Sequence, residues 1–222
     1  MTAAQFEKLS NDLSLLASKM PLHWGFIQNN ATDSQVNMFQ IADYETLERQ
    51  ITALTDESKN YFRRRWFLWK CAQCDEYLFC QNSNVTPNPN HKDQSYDLEF
   101  NSNSSLRFDL KGTVIPKDFI ESIDKVVNDP TEMVRFFYEK QSTGVRSNIQ
   151  NRLFIAHHSM LDKKREMHLR SAWEFKKNVF AEYASKVSIH NNFISCQKVI
   201  SDVIFILEDR SGNLSHKFYS ID

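Results

Sequence analysis

Between residues 96 and 114 the chain alternates apolar and polar side chains with a period of two, in two runs separated by a short polar break. This pattern constrains the fold most tightly, because only an extended strand sends every second side chain to one face. In YDLEF, residues 96, 98 and 100 are apolar while Asp97 and Glu99 are acidic; in LRFDLKGTVI, residues 106, 108 and 110 are apolar while Arg107, Asp109, Lys111 and Thr113 are polar. The intervening NSNSS is turn material, so the pair reads as a hairpin. Pivoting at Asn103, it faces Phe100 to Leu106, Leu98 to Phe108 and Tyr96 to Leu110 on the buried side. A slip of one residue would bury the polar set instead. The same register sets Glu99 opposite Arg107 and Asp97 opposite Asp109.

Around this hairpin the periodicity turns helical. Helices are predicted over residues 3–20, ended by Pro21, over 41–55, and over 61–79, where YFRRRWFLWKCAQCDEYLF carries a wide apolar face suited to the core. Residues 81–94, rich in Asn and Pro, read as a long loop. Past the hairpin, 116–127 and 130–141 read as short helices, 152–158 as a buried strand, 161–187 as one long helix, 199–207 as a strand and 214–221 as an edge strand. The expected class is α/β: a single domain over 1–222, with an N-terminal helical segment at 1–57, a core at 61–208 and a C-terminal edge strand at 209–222.

Composition narrows the function classes. The 27 basic and 28 acidic side chains leave a net charge of -1, so any nucleic-acid surface must be a local patch. No run approaches the roughly 18 apolar residues that span a bilayer, and the N-terminus lacks a signal-peptide pattern, so no membrane partner and a cytoplasmic location are expected. Three of the four cysteines cluster at 71, 74 and 80 within ten residues, the first two inside one helical pattern, which predicts reduced core thiols rather than a disulfide framework or a zinc site. There is no Gly-rich phosphate loop, GxSxG or HExxH.

Asp97 and Asp109 hold the chemistry. Two carboxylates opposite one another on one sheet face, roughly 5 Å apart at Cβ, repel unless compensated. A divalent cation compensates well, since Mg²⁺ takes hard oxygen ligands and commonly only one or two carboxylates, leaving positions for water and phosphate. Lys111 shares the face of Asp109, where an ammonium can hold water or offset phosphate charge.

Asp97 followed by Asp109-Leu110-Lys111 resembles the PD-(D/E)xK signature of the restriction-endonuclease-like nuclease superfamily, over roughly residues 61–208, and FDLKGTVIP is similar to an uncharacterised bacterial branch of it. The resemblance implies a mixed sheet flanked by helices, built as helix, three strands, helix, strand. It implies metal-dependent phosphodiester hydrolysis, DNA before RNA, in a restriction or phage-defence endonuclease. Catalytic residues would be Asp97, Asp109, Lys111 and Glu76, with Asp97, Asp109 and Glu76 binding Mg²⁺ or Mn²⁺. Tyr96 stands where the signature has proline, at a position that is not a ligand. Arg63, Arg64, Arg146, Lys163, Lys164 and Arg170 are the candidate nucleic-acid contacts, drawn from the triplet 63–65, the basic run 161–177 and the loop at 144–148. A homodimer would be a common way to cut both strands. The alternative is a nuclease-fold binding or interaction module without turnover.

Overall fold

A computed structural model describes the chain except for residues 21, 23–29, 91, 92, 94, 142–149, 197 and 222. In chain order the elements are α1 (Ala3–Ala17), α2 (Asn30–Asp33), α3 (Tyr44–Ile51), α4 (Asp56–Phe79), β1 (Val85–Pro87), β2 (Leu98–Phe100), β3 (Arg107–Val114), α5 (Ile123–Asn128), α6 (Thr131–Gln141), β4 (Arg152–Ser159), α7 (Arg165–Leu169), α8 (Trp173–Lys186), β5 (Ile194–Cys196), β6 (Val199–Glu208) and β7 (Leu214–Phe218). Helix starts follow local chemistry. Thr2 and Gln5 form a capping box at α1, and Thr55 caps α4 ahead of Asp56 and Glu57 in its first turn.

The strands form one mixed sheet in the order β1-β2-β3-β4-β6-β5, with β7 also on β6. β3, β4 and β6 run parallel at its centre, and the other neighbours pair antiparallel. β4 is buried along its whole length, with an apolar centre, Leu153 to Ala156, between Arg152 and the polar His157, His158 and Ser159. One face packs Leu110, Leu153, Ile155, Ile204 and Ile206 against α1, α4 and α8; the other packs Phe154, Ala156, Val203 and Phe205 against α5 and α6. Phe79 stacks on Phe180 at 4.1 Å between ring centres, joining α4 to α8 at a gain of about 0.5–1.5 kcal/mol beyond burial. The architecture is therefore α/β, a mixed sheet between helices. Among the described residues no helix is long and apolar enough to cross a membrane.

The hairpin register is the expected one, with Leu98 paired to Phe108 and Glu99 to Arg107. Its connection carries Asn101 and Ser102 at φ 57° and 51°, both left-handed, in a turn closed by Asn103 N–H donating to Phe100 O at 3.0 Å. Asn101 tolerates this and bonds Val187 O through its side chain at 2.8 Å; Ser102 has only the strain. Ser102→Gly is expected to stabilise the protein by about 0.5–1 kcal/mol, read as a thermal midpoint about 2 °C higher.

Three readings need correction. The segment 81–94 contains β1, an edge strand whose Pro87 needs no ladder donor at its position. Residues 161–187 are two helices, α7 and α8, with residues 170–172 between them. The break holds because the Lys176 ammonium bonds Arg170 O at 3.0 Å, satisfying a carbonyl at the end of α7. Residues 194–196, unassigned from sequence, pair with β6 as β5. Cys71 and Cys74 are core thiols, with burial pushing Cys74 up to about 12. Trp66 is fully buried, while Trp24 lies outside the described residues.

Candidate active site

β2 and β3 part company just beyond Leu98, and the carboxylates gather in that gap. Asp97 N–H still donates to Phe108 O at 2.9 Å, but Leu110 N–H donates to Asp97 Oδ2 at 2.7 Å instead of to backbone. The side chain thus replaces a rung of the ladder and is fixed by it. Asp109 is held from the other side: its N–H donates to Asn151 O at 2.9 Å, and Asn151 also ties Arg107 O and Ile200 N–H together.

Asp109 is 3% exposed and faces two cations. Lys111 Nζ lies 2.7 Å from Oδ1, and Arg152 Nε lies 3.6 Å from Oδ2. Arg152 sits beside Asp109 in the parallel β3–β4 register, its guanidinium 4.7 Å over the ring centre of Tyr138, whose hydroxyl donates to Gln150 O. The sequence does not single out Arg152 and Asn151; the available signal was an arginine directly before the apolar run Leu153 to Ala156.

Asp97 and Asp109 are in hydrogen-bonding contact. Burial, then the Asp109 charge, push the Asp97 pKa up, against the Leu110 N–H and Lys111. Glu76, on the α4 face toward this gap, is half-buried, and burial followed by the charges of Asp97 and Asp75 pushes it up to about 8. Asp97 and Asp109 therefore meet in a poorly solvated place within reach of the Glu76 charge, and their hard oxygens suit Mg²⁺ or Mn²⁺. Among the described residues no three His, Cys, Asp or Glu side chains already converge as a ready cation cage.

The raised Glu76 pKa has a sign. Its protonated form is favoured by folding, so the associated stability is complete below the unfolded value of about 4.5 and is lost as pH rises through about 8. In chelator, urea midpoints are expected to fall from pH 5 to pH 8.5, and Glu76→Gln to flatten that fall; an unchanged slope would contradict the burial of Glu76.

The candidate nucleic-acid contacts are scattered. Arg63 is clasped by Glu48 through two hydrogen bonds of 2.7 and 2.6 Å, Arg64 is half-buried, and Arg146 lies outside the described residues. Lys163 and Lys164 are exposed in the turn before α7. Arg170 is buried and donates to Gly112 O at 3.1 Å, so it offers no surface to a phosphate backbone. A Cβ on Gly112 would come within 2.8 Å of that guanidinium, which explains a glycine straight after Lys111.

The chain matches no family model, no curated protein and no solved structure.

Proposed function

We propose that the chain is a metal-dependent nuclease of PD-(D/E)xK type, a DNA endonuclease of restriction or phage-defence kind, with a restriction-endonuclease-like core. The observation that carries this reading is the meeting of Asp97, Asp109 and Lys111 where β2 and β3 separate. Surface charges that pair casually do not bury two acids against each other, whereas a cation-binding site requires that arrangement.

Asp97, Asp109 and Glu76 would hold Mg²⁺ or Mn²⁺, which supplies Lewis acidity toward the phosphate oxygens. The protein's own part is positioning. The Leu110 N–H orients Asp97, and the Asn151 carbonyl together with Arg152 orients Asp109. Lys111, a third exposed and braced on Asp109 Oδ1, is placed to hold the attacking water and to offset charge that builds on the phosphoryl oxygens. The test is incubation of single- and double-stranded DNA and RNA with the purified protein, with Mg²⁺ or Mn²⁺ and with chelator. Divalent-dependent cleavage, DNA before RNA, is expected. No cleavage of any substrate, with no divalent binding by calorimetry, would favour the module without turnover.

A further inference from the structure

Glu76 also forms one edge of a larger cleft that the hydrolytic reading leaves unused. Between α1, α4 and residues 42–43 the surface opens into a cavity of about 880 Å³. Lys70, Gln73 and Tyr77 line it at helical spacing along one stripe of α4, with Glu76 beside them and Cys80 just past the helix end. Such a volume falls in the range of small-ligand sites, about 300–1,000 Å³. Asp97, Asp109 and Lys111 do not line it.

Lys70 is the informative wall. Its side chain is only 7% exposed, Nζ donates to Gln73 Oε1 at 3.1 Å and lies 4.3 Å from the Trp69 ring centre. Among the described residues no carboxylate lies within ion-pair distance of it, unlike Lys8 on the opposite wall, which Asp43 neutralises at 2.7 Å. Asp12, also on that wall, accepts the Tyr44 N–H at 3.1 Å. A buried ammonium without an anion is costly, and burial lowers the Lys70 pKa; an anion entering the cleft relieves both effects. Tyr77, stacked on Phe6 at 4.8 Å and lining the cavity, adds an aromatic surface of the kind bases stack on.

We infer that this cleft binds one nucleotide unit, its phosphate on Lys70 and its base against Tyr77. Resting on the nuclease reading, that nucleotide neighbours the scissile position, because Lys70 and Glu76 are separated by about 9 Å along α4. The probe is 2′-deoxyadenosine 5′-monophosphate, titrated in chelator by calorimetry and by tryptophan fluorescence, since Lys70 lies over Trp69. Saturable binding is expected, weakened at least about ten-fold by Lys70→Met and equally by Gln73→Glu, which keeps the lysine stem and gives it a carboxylate. Deoxyadenosine, lacking the phosphate, should bind at least about ten-fold more weakly. No saturation by about 10 mM, or variants that bind as tightly as wild type while folded, overturns the inference. Cleavage without monophosphate binding would overturn this cleft alone, whereas binding without cleavage of any substrate would overturn the nuclease reading alone.

Discussion

Lys111→Met is expected to lower divalent-dependent cleavage by about 10²–10⁴-fold, the range for loss of a positioned proton-handling or charge-stabilising group. The substitution keeps the unbranched stem and removes only the ammonium, which is 2.7 Å from Asp109 Oδ1 and a third exposed. Asp109 is buried but keeps the Arg152 guanidinium 3.6 Å from Oδ2 when the ammonium is lost, so the thermal midpoint should stay within a few degrees of wild type. Divalent binding by calorimetry should persist, since the carboxylates remain. A variant that cleaves within about three-fold of wild type would mean that Lys111 merely pairs with Asp109.

The second large effect lies behind the sheet. Lys176→Met is expected to destabilise the protein by about 3–5 kcal/mol at neutral pH, because it leaves the Asp75 carboxylate buried with its close partner gone. Both side chains are essentially inaccessible, and burial already pushes the Asp75 pKa up against the pull of Lys176. With the lysine gone, Asp75 protonates more readily in the fold, so the deficit should shrink toward pH 4 and grow as pH rises. The lysine also bonds Arg170 O between α7 and α8, so part of the loss persists at low pH. Asp75→Leu added to Lys176→Met should recover most of the stability, because an apolar pair of similar volume replaces an ion pair that had to be desolvated. Urea midpoints of the single and double variants across pH 4–8 measure this; a single variant within about 1 kcal/mol of wild type would contradict it.

What the sequence made legible is what its periodicity controls. Alternation over 96–114 specifies the hairpin register because a shift would expose Leu98, Phe100 and Phe108 and bury Asp97 and Glu99. Hence the neighbourhood of Asp97 and Asp109 was readable from 19 residues, and the long apolar pattern of α4 gave Glu76 its place on the helix that packs there. Features supplied by distant partners were not readable. β1 exists because the β2 edge offers it a ladder, although its own residues, Val-Thr-Pro among asparagines, favour a loop. The run 161–177 looked like one basic helix, yet Asp75, some hundred residues away in sequence, draws Lys176 into the core, and Gly112 O accepts Arg170. Arg152 entered the site only through strand order, since the parallel pairing of β3 with β4 sets it beside Asp109. Charged residues in a helical pattern default to solvent in any local reading, and here burial of their partners reverses that default.

The central claim is that Asp109 and its neighbours run divalent-dependent phosphodiester cleavage, and Asp109→Asn tests it with almost no change of shape. Cleavage of DNA by wild type and Asp109→Asn should be followed while Mn²⁺ or Mg²⁺ is titrated from chelator to millimolar excess, with folding of both checked by thermal melts. Wild type is predicted to gain activity saturably with cation, and the folded variant to stay at the chelator background throughout. Equal cleavage by the two proteins, or wild-type cleavage indifferent to chelator, would contradict the account.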